Sequence, residues 1–180
     1  MKILTHGFGA AKGVLAVYVE RHPNLEKYTK LHDVIPLQQG EIDYINQECG
    51  NGWRKLFNVY SKFIAQLQHP DHHFTNQSEG TKTWQQYRDN ALLQSHSQEA
   101  LLFSPPDLEQ NSYQWHVIAG RTYAKRLLRD HDFTHSMVWI DEEFAIDPIN
   151  KVIVCPYFDY RQLSNIKITK LVELIQDHTS

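Results

Sequence analysis

The sequence predicts an α/β domain of three layers, with a short, mostly parallel sheet flanked by helices, and three features carry that expectation. Apolar runs of strand length recur along the chain, bounded by glycine, proline and polar clusters. Between them lie longer stretches whose apolar residues fall three and four apart, the spacing of a helix with one buried face. In the second half strand and helix follow each other directly, which favours parallel pairing beneath helices on both faces. The 180 residues suit a single domain spanning 1–180, and 41% apolar against 22% charged residues gives enough material for a core.

Taken in order, Gly7, Gly9 and Gly13 predict a flexible leader. They do not form a dinucleotide fingerprint, because that motif follows a strand and here the strand comes afterwards, at 14–19. A short helix is expected over 41–48, closed by Gly50, Asn51 and Gly52. The next helix is the best defined in the chain: Trp53, Leu56, Phe57, Tyr60, Phe63, Ile64 and Leu67 form one continuous stripe. A polar loop runs through Gly80, and a further helix over 81–93 would bury Trp84, Tyr87, Ala91 and Leu92. Strands are expected at 100–103, stopped by Pro105 and Pro106, and at 115–119. Gly120 passes the latter straight into a helix over 121–129 with Ala124, Leu127 and Leu128 on one side. Runs at 137–140 and 151–155 read as two more strands. Ser164 should cap a last helix that buries Ile168, Leu171, Val172 and Ile175.

Composition narrows the function classes. A net charge of −3 supplies no global attraction for a polyanion, so any nucleic-acid contact would have to be local. The two cysteines, Cys49 and Cys155, are far apart and lack a CxxC spacing, which favours a reducing, cytoplasmic compartment over a disulfide framework. No export signal is visible after Met1, and the longest apolar run falls well short of the ~20 residues that span a bilayer, so no membrane partner is expected. His69, Asp71, His72 and His73, and Asp130, His131, Asp132 and His135, lack a metal-site spacing. Neither a metal nor a cofactor is expected.

In open α/β sheets ligands sit beyond the carboxyl ends of the strands, so the residues after each apolar run are the site candidates. After the strand at 115–119 come Gly120, Arg121 and Thr122, where a helix start behind an arginine favours an anion. Along the same helix Arg121, Lys125 and Arg129, with Arg126 alongside, predict a basic ridge. After the run at 137–140 come Asp141, Glu142 and Glu143, of which Asp141 is the catalytic carboxylate candidate. After 151–155 come Pro156, Tyr157, Phe158, Asp159, Tyr160 and Arg161. Tyr157, Tyr160 and Arg161 would offer stacking faces and charge to a planar ligand, and Asp159 is a second catalytic candidate. Cys155, inside an apolar run, reads as a small core residue rather than a nucleophile.

The segments 117–125 and 152–159 resemble in pattern the C-terminal half of the uracil-DNA glycosylase superfamily. There a strand ending in glycine leads a helix and a later strand ends in a proline-containing loop over DNA. Cys155 stands where that family places its histidine, and no Gly-Gln-Asp-Pro-Tyr motif occurs near the N-terminus. The resemblance covers about 60 residues and implies the fold of this half more than the activity. The chain as a whole also resembles an uncharacterised bacterial protein family, which implies no mechanism. The functional expectation is binding of a planar or anionic small molecule or nucleotide at the loops after 119, 140 and 155. One alternative is a glycosylase-like or other hydrolase acting on a nucleobase, for which Asp141 or Asp159 would supply the base. The other is a non-catalytic interaction protein docking through its aromatics and basic ridge.

Overall fold

The computed structural model describes residues 4–68, 83–131 and 134–179. In chain order the elements are β1 (Gly7–Gly9), β2 (Gly13–Tyr18), α1 (Glu26–Thr29), β3 (Val34–Ile35), α2 (Glu41–Cys49), α3 (Asn51–Leu67) and α4 (Trp84–Asn90). They continue with β4 (Glu99–Leu102), β5 (Tyr113–Ala119), α5 (Arg121–Asp130), β6 (Val138–Trp139), β7 (Ala145–Asp147), β8 (Val152–Cys155) and α6 (Asn165–Asp177). All eight strands join one sheet in the order β3-β1-β4-β2-β5-β8-β7-β6. The α/β class therefore holds, but the sheet is mixed rather than mostly parallel. β4, β2, β5 and β8 form a parallel centre, whereas β1 meets β4, β7 meets β8 and β6 meets β7 antiparallel. Apolar runs report burial and not strand direction, and the antiparallel additions are too short to leave a pattern of their own.

The alternation within the central strands explains the two cores. Leu15, Val17, Leu101, Val117 and Ile153 point to one face and pack with Ile42 and Ile45 of α2, the α3 stripe, and Ile168, Leu171, Val172 and Ile175 of α6. Ala16, Tyr18, Leu102, Ile118 and Val154 point to the other, against Tyr123, Ala124 and Leu127 of α5. With both faces covered, these strands read as unbroken apolar runs. Helix α3 carries the predicted stripe: Leu56, Phe57, Tyr60, Phe63, Ile64 and Leu67 are buried and Trp53 is half-buried. The Tyr60 hydroxyl donates to the Ala100 carbonyl at 2.7 Å, fixing α3 on β4. Gly50, at φ +94°, ends α2, and α3 begins at the next residue, so Asn51 and Gly52 belong to its first turn. Ser164 stands at the start of α6 but its side chain makes no capping bond.

The expected glycine leader is instead strand β1. Added Cβ atoms at Gly7 and Gly9 would lie 2.1 Å from the Leu101 carbonyl oxygen and 2.3 Å from that of Glu99. The backbone of β4 comes too close for any side chain, and glycine in a strand commonly marks such an approach. The run at 137–140 also changes meaning. Its strand, β6, is an exposed edge strand that turns back antiparallel through β7.

His116, on β5, is 1% exposed, stacks on Tyr18 at 5.8 Å between centroids, and places Nδ1 2.6 Å from the Tyr18 hydroxyl. Burial lowers its pKa from 6.5 to about 4. Above 6.5 both folded and unfolded chains are neutral here and the contribution to stability is complete. Between 6.5 and 4 only the unfolded chain takes up the proton, so stability falls with pH through that window and levels off below it.

Two outcomes are expected. Phe57→Ala should cost about 3–5 kcal/mol in urea denaturation, as a core truncation, whereas a loss within ~0.5 kcal/mol would place the α3 stripe on the surface. His116→Gln should flatten the fall in stability between pH 6.5 and 4, a difference of at most about 3 kcal/mol at about 1.4 kcal/mol per pH unit. Parallel curves for the two proteins would show that His116 charges freely in the fold.

Candidate functional site

The parallel pairing of β5 and β8, with Ala119 opposite Cys155, brings the loops after these strands together at one edge. The Gly120 amide donates to the Cys155 carbonyl at 2.8 Å, joining the strand ends directly. Gly120 sits at φ +105°, a conformation that side chains resist, and this lets α5 leave β5 without an intervening loop. The third loop arrives by a different route. β6 is antiparallel to β7 and β7 to β8, so the turn between β6 and β7 returns to the same edge. There Arg121 Nη1 donates to the Glu142 carbonyl at 3.1 Å. The loops after 119, 140 and 155 thus meet around a cleft of about 550 Å³.

Of the predicted binding residues, Gly120, Arg121, Thr122, Tyr157 and Arg161 line this cleft. Glu20, Glu143, Gln162 and Lys167 line it as well and were not anticipated. Glu20 had a legible signal, since it is the first polar residue after the apolar run of β2. Lys167 had none, because the pattern of its helix reports only the opposite, apolar face.

Charge in the cleft is unevenly paired. Glu143 is bound by Lys167 at 2.8 Å and Glu20 by Arg126 at 2.6 Å. Neither Arg121 nor Arg161 forms an ion pair with a described residue, which leaves the cleft with a positive excess. No side chain caps α5, and Ala124 is its first amide bonded within the helix, to Gly120 O at 3.0 Å. The open amides of the first turn and the helix dipole add to the attraction for an anion. Tyr157 supplies a half-buried ring. Burial, and next the charge of Asp159, push its phenol up, so it stays neutral at physiological pH.

Asp159 and Tyr160 do not line the cleft. Asp159 builds the turn after β8: its Oδ1 accepts from the Arg161 amide at 2.8 Å, and its Oδ2 lies 3.9 Å from Lys55 on α3. Tyr160 is 50% exposed, with Lys55 and Arg161 over its ring at 5.3 and 5.7 Å. Asp141 also stays outside. Its Oδ1 accepts from the amides of Glu143 and Phe144, both at 2.8 Å, and its Oδ2 pairs with Lys170. The Lys170 bond, with those two amides, lowers its pKa to about 2.

The basic ridge on α5 is largely partnered. Arg126 pairs with Glu20, Arg129 with Asp130 at 2.8 Å, and Lys125 lies 5.3 Å over the Trp139 ring. Cys155 is fully buried and its thiol is pushed up by that burial, as expected of a core residue. The residues from His69 to His73 and Asp132 lie outside the described residues. Among the described residues no group of three or more histidines, cysteines or acids could hold a metal ion, and no helix is long and apolar enough to cross a membrane.

An open, mixed α/β sheet whose strand-end loops frame a positively charged cleft is the class that this geometry defines. The chain belongs to the family of unknown function DUF6942, whose model matches residues 6–176. No curated protein and no solved structure matches it, and none of these comparisons links it to the uracil-DNA glycosylase superfamily.

Proposed function

We propose that the protein binds a small anionic molecule with a planar part, of which a nucleotide is the type, in the cleft at the ends of β5 and β8. The observation that carries this reading is the pair of arginines, Arg121 and Arg161, without ion-pair partners among the described residues, beside the open start of α5 and the Tyr157 ring. A phosphate suits the amides and guanidinium groups, and a planar base suits the tyrosine face. The volume of about 550 Å³ lies within the range of small-molecule sites, roughly 300–1,000 Å³. The reading requires no cofactor. It fits a reducing, cytoplasmic setting, in which the free Cys49 and Cys155 are stable.

Binding is favoured over nucleobase hydrolysis by the state of the carboxylates. The hydrolytic alternative, with Asp141 or Asp159 as its base, requires a carboxylate free to take a proton from water within reach of the substrate. Asp141 and Asp159 spend an oxygen each on backbone amides outside the cleft, and Glu20 and Glu143 inside it are held in ion pairs. A docking surface is disfavoured in turn because the ridge cations are mostly engaged within the chain.

A titration with AMP and with adenosine, followed by amide resonances, tests the reading. AMP should shift residues 120–122, 157 and 161 together. Arg121→Ala should weaken AMP about fivefold, the effect of losing ~1 kcal/mol from an exposed charge-assisted hydrogen bond, and leave adenosine unchanged. Shifts confined to other parts of the chain, or equal losses for both ligands, would refute the site.

A further inference from the structure

One acid of the cleft at the ends of β5 and β8 is at odds with its positive excess. Glu20 lines that cleft from just beyond β2, the strand that runs parallel beside β5. Paired strands lie about 4.8 Å apart, so a residue delivered by β2 stands roughly one strand width from the start of α5. A carboxylate so close to a bound anion repels it. A ligand that fits the cleft must offset that repulsion.

The state of the carboxylate oxygens shows how. Arg126 Nη2 lies 2.6 Å from Oε1 as an ion pair, and Oε2 has no partner among the described residues. Glu143, the other acid of the cleft, has both oxygens 2.8 Å from Lys167 Nζ. Thr122 and Gln162 line the cleft too, but a hydroxyl and an amide can donate as readily as they accept. An ionised carboxylate only accepts, so Glu20 Oε2 calls for a donor on the ligand.

Such a donor is either a cation or a neutral group, and the surroundings decide between them. Arg126 already holds one side of the carboxylate, and the exposed Arg21 follows it in the chain. An ammonium group there would meet both positive charges, whereas a hydroxyl adds none. Tyr157 defines what lies next to that hydroxyl. A Cβ added to Gly120 would lie 3.8 Å from its Cδ1, and after burial and Asp159 the charges that act on its phenol are those of Arg21 and Glu20. The ring therefore extends across Gly120 toward the end of β2.

We propose that the ligand of this cleft is a ribonucleotide, whose ribose hydroxyls donate to Glu20 while its phosphate is held at Arg121 and the start of α5. The base stacks on Tyr157, which places the sugar between the two charges. This inference rests on the anion-cleft reading and adds the sugar to it. Glu20 is then the residue that separates a vicinal diol from a sugar without one.

Calorimetric titration of the full chain with AMP and with its 2′,3′-dideoxy form, which keeps base and phosphate but lacks both hydroxyls, tests the assignment. The parent should bind AMP at least fivefold tighter, the range of a hydrogen bond to a charged acceptor. In Glu20→Ala the two ligands should bind within twofold of each other. Because the readout is a ratio, any effect of releasing Arg126 on the phosphate cancels. Arg121→Ala should weaken both ligands alike and leave the ratio at its parent value. Equal affinities of the parent for both ligands, with resonances 120–122 and 157 shifting for each, would overturn the diol contact and leave the anion cleft standing. A ratio that survives in Glu20→Ala would take the contact away from Glu20. If neither ligand binds, or both shift only other parts of the chain, the cleft reading fails and this inference with it.

Discussion

Backbone pairing of β2 on both sides is the constraint from which the rest of the molecule follows. Tyr18 lies opposite Leu102 of β4 on one side and Ile118 of β5 on the other, all three strands running the same way. β8 extends this block with Cys155 opposite Ala119. Four strands that run alike must end at one edge, and each polar residue that follows a strand is delivered there regardless of its distance in sequence. Glu20, Gly120, Arg121 and Tyr157 share a cleft for that reason.

What surrounds the parallel block differs on its two sides. Toward β8 the sheet grows by an antiparallel hairpin whose turn folds over the strand ends, carrying Glu143 to Lys167 and the Glu142 carbonyl to Arg121. Of the acids arriving there Asp141 and Glu143 are held by Lys170 and Lys167, and Arg121 and Arg161 remain without an ion-pair partner among the described residues. Toward β4 the sheet grows through β1, whose glycines permit a backbone approach that no side chain would allow. Among the described residues no helix covers that half on the face that carries α5, and Asp107 and Tyr18 there line a cleft of about 500 Å³.

The parts of this design written as repetition were legible. The α3 stripe, the passage from β5 through Gly120 into α5, and the buried face of α6 each repeat a spacing often enough to identify the element. β1, β3 and β7 have two or three residues each, and in β1 two of three lack a side chain, so there was no period to read. Of the residues that the rule of inspecting strand ends singles out, Gly120, Arg121, Thr122, Tyr157 and Arg161 line the cleft. Asp159 and Asp141 stand outside it because side-chain direction in a turn is set by which amides need an acceptor, and both aspartates answer that need, while Tyr160 lies beside Lys55 and Arg161. The pair of Tyr18 and His116 lies 98 residues apart in the chain, beyond the reach of any local pattern.

The placement of β1 has a consequence for how the chain is made. Gly7 pairs with Leu102, and Gly13 of β2 pairs with Tyr113, so β1 and β2 leave the ribosome well before these partners, about half of the 180 residues ahead of them. At about 5–20 residues per second the wait is on the order of 5–20 s. Contacts of such sequence separation carry a large loop-closure cost and make for slow folding. During that interval the apolar run of β2 is an unpaired, β-prone segment. Gly13 at its start, and Glu20, Arg21 and Pro23 after its end, all of low β-propensity, keep that sticky stretch short while it awaits its neighbours.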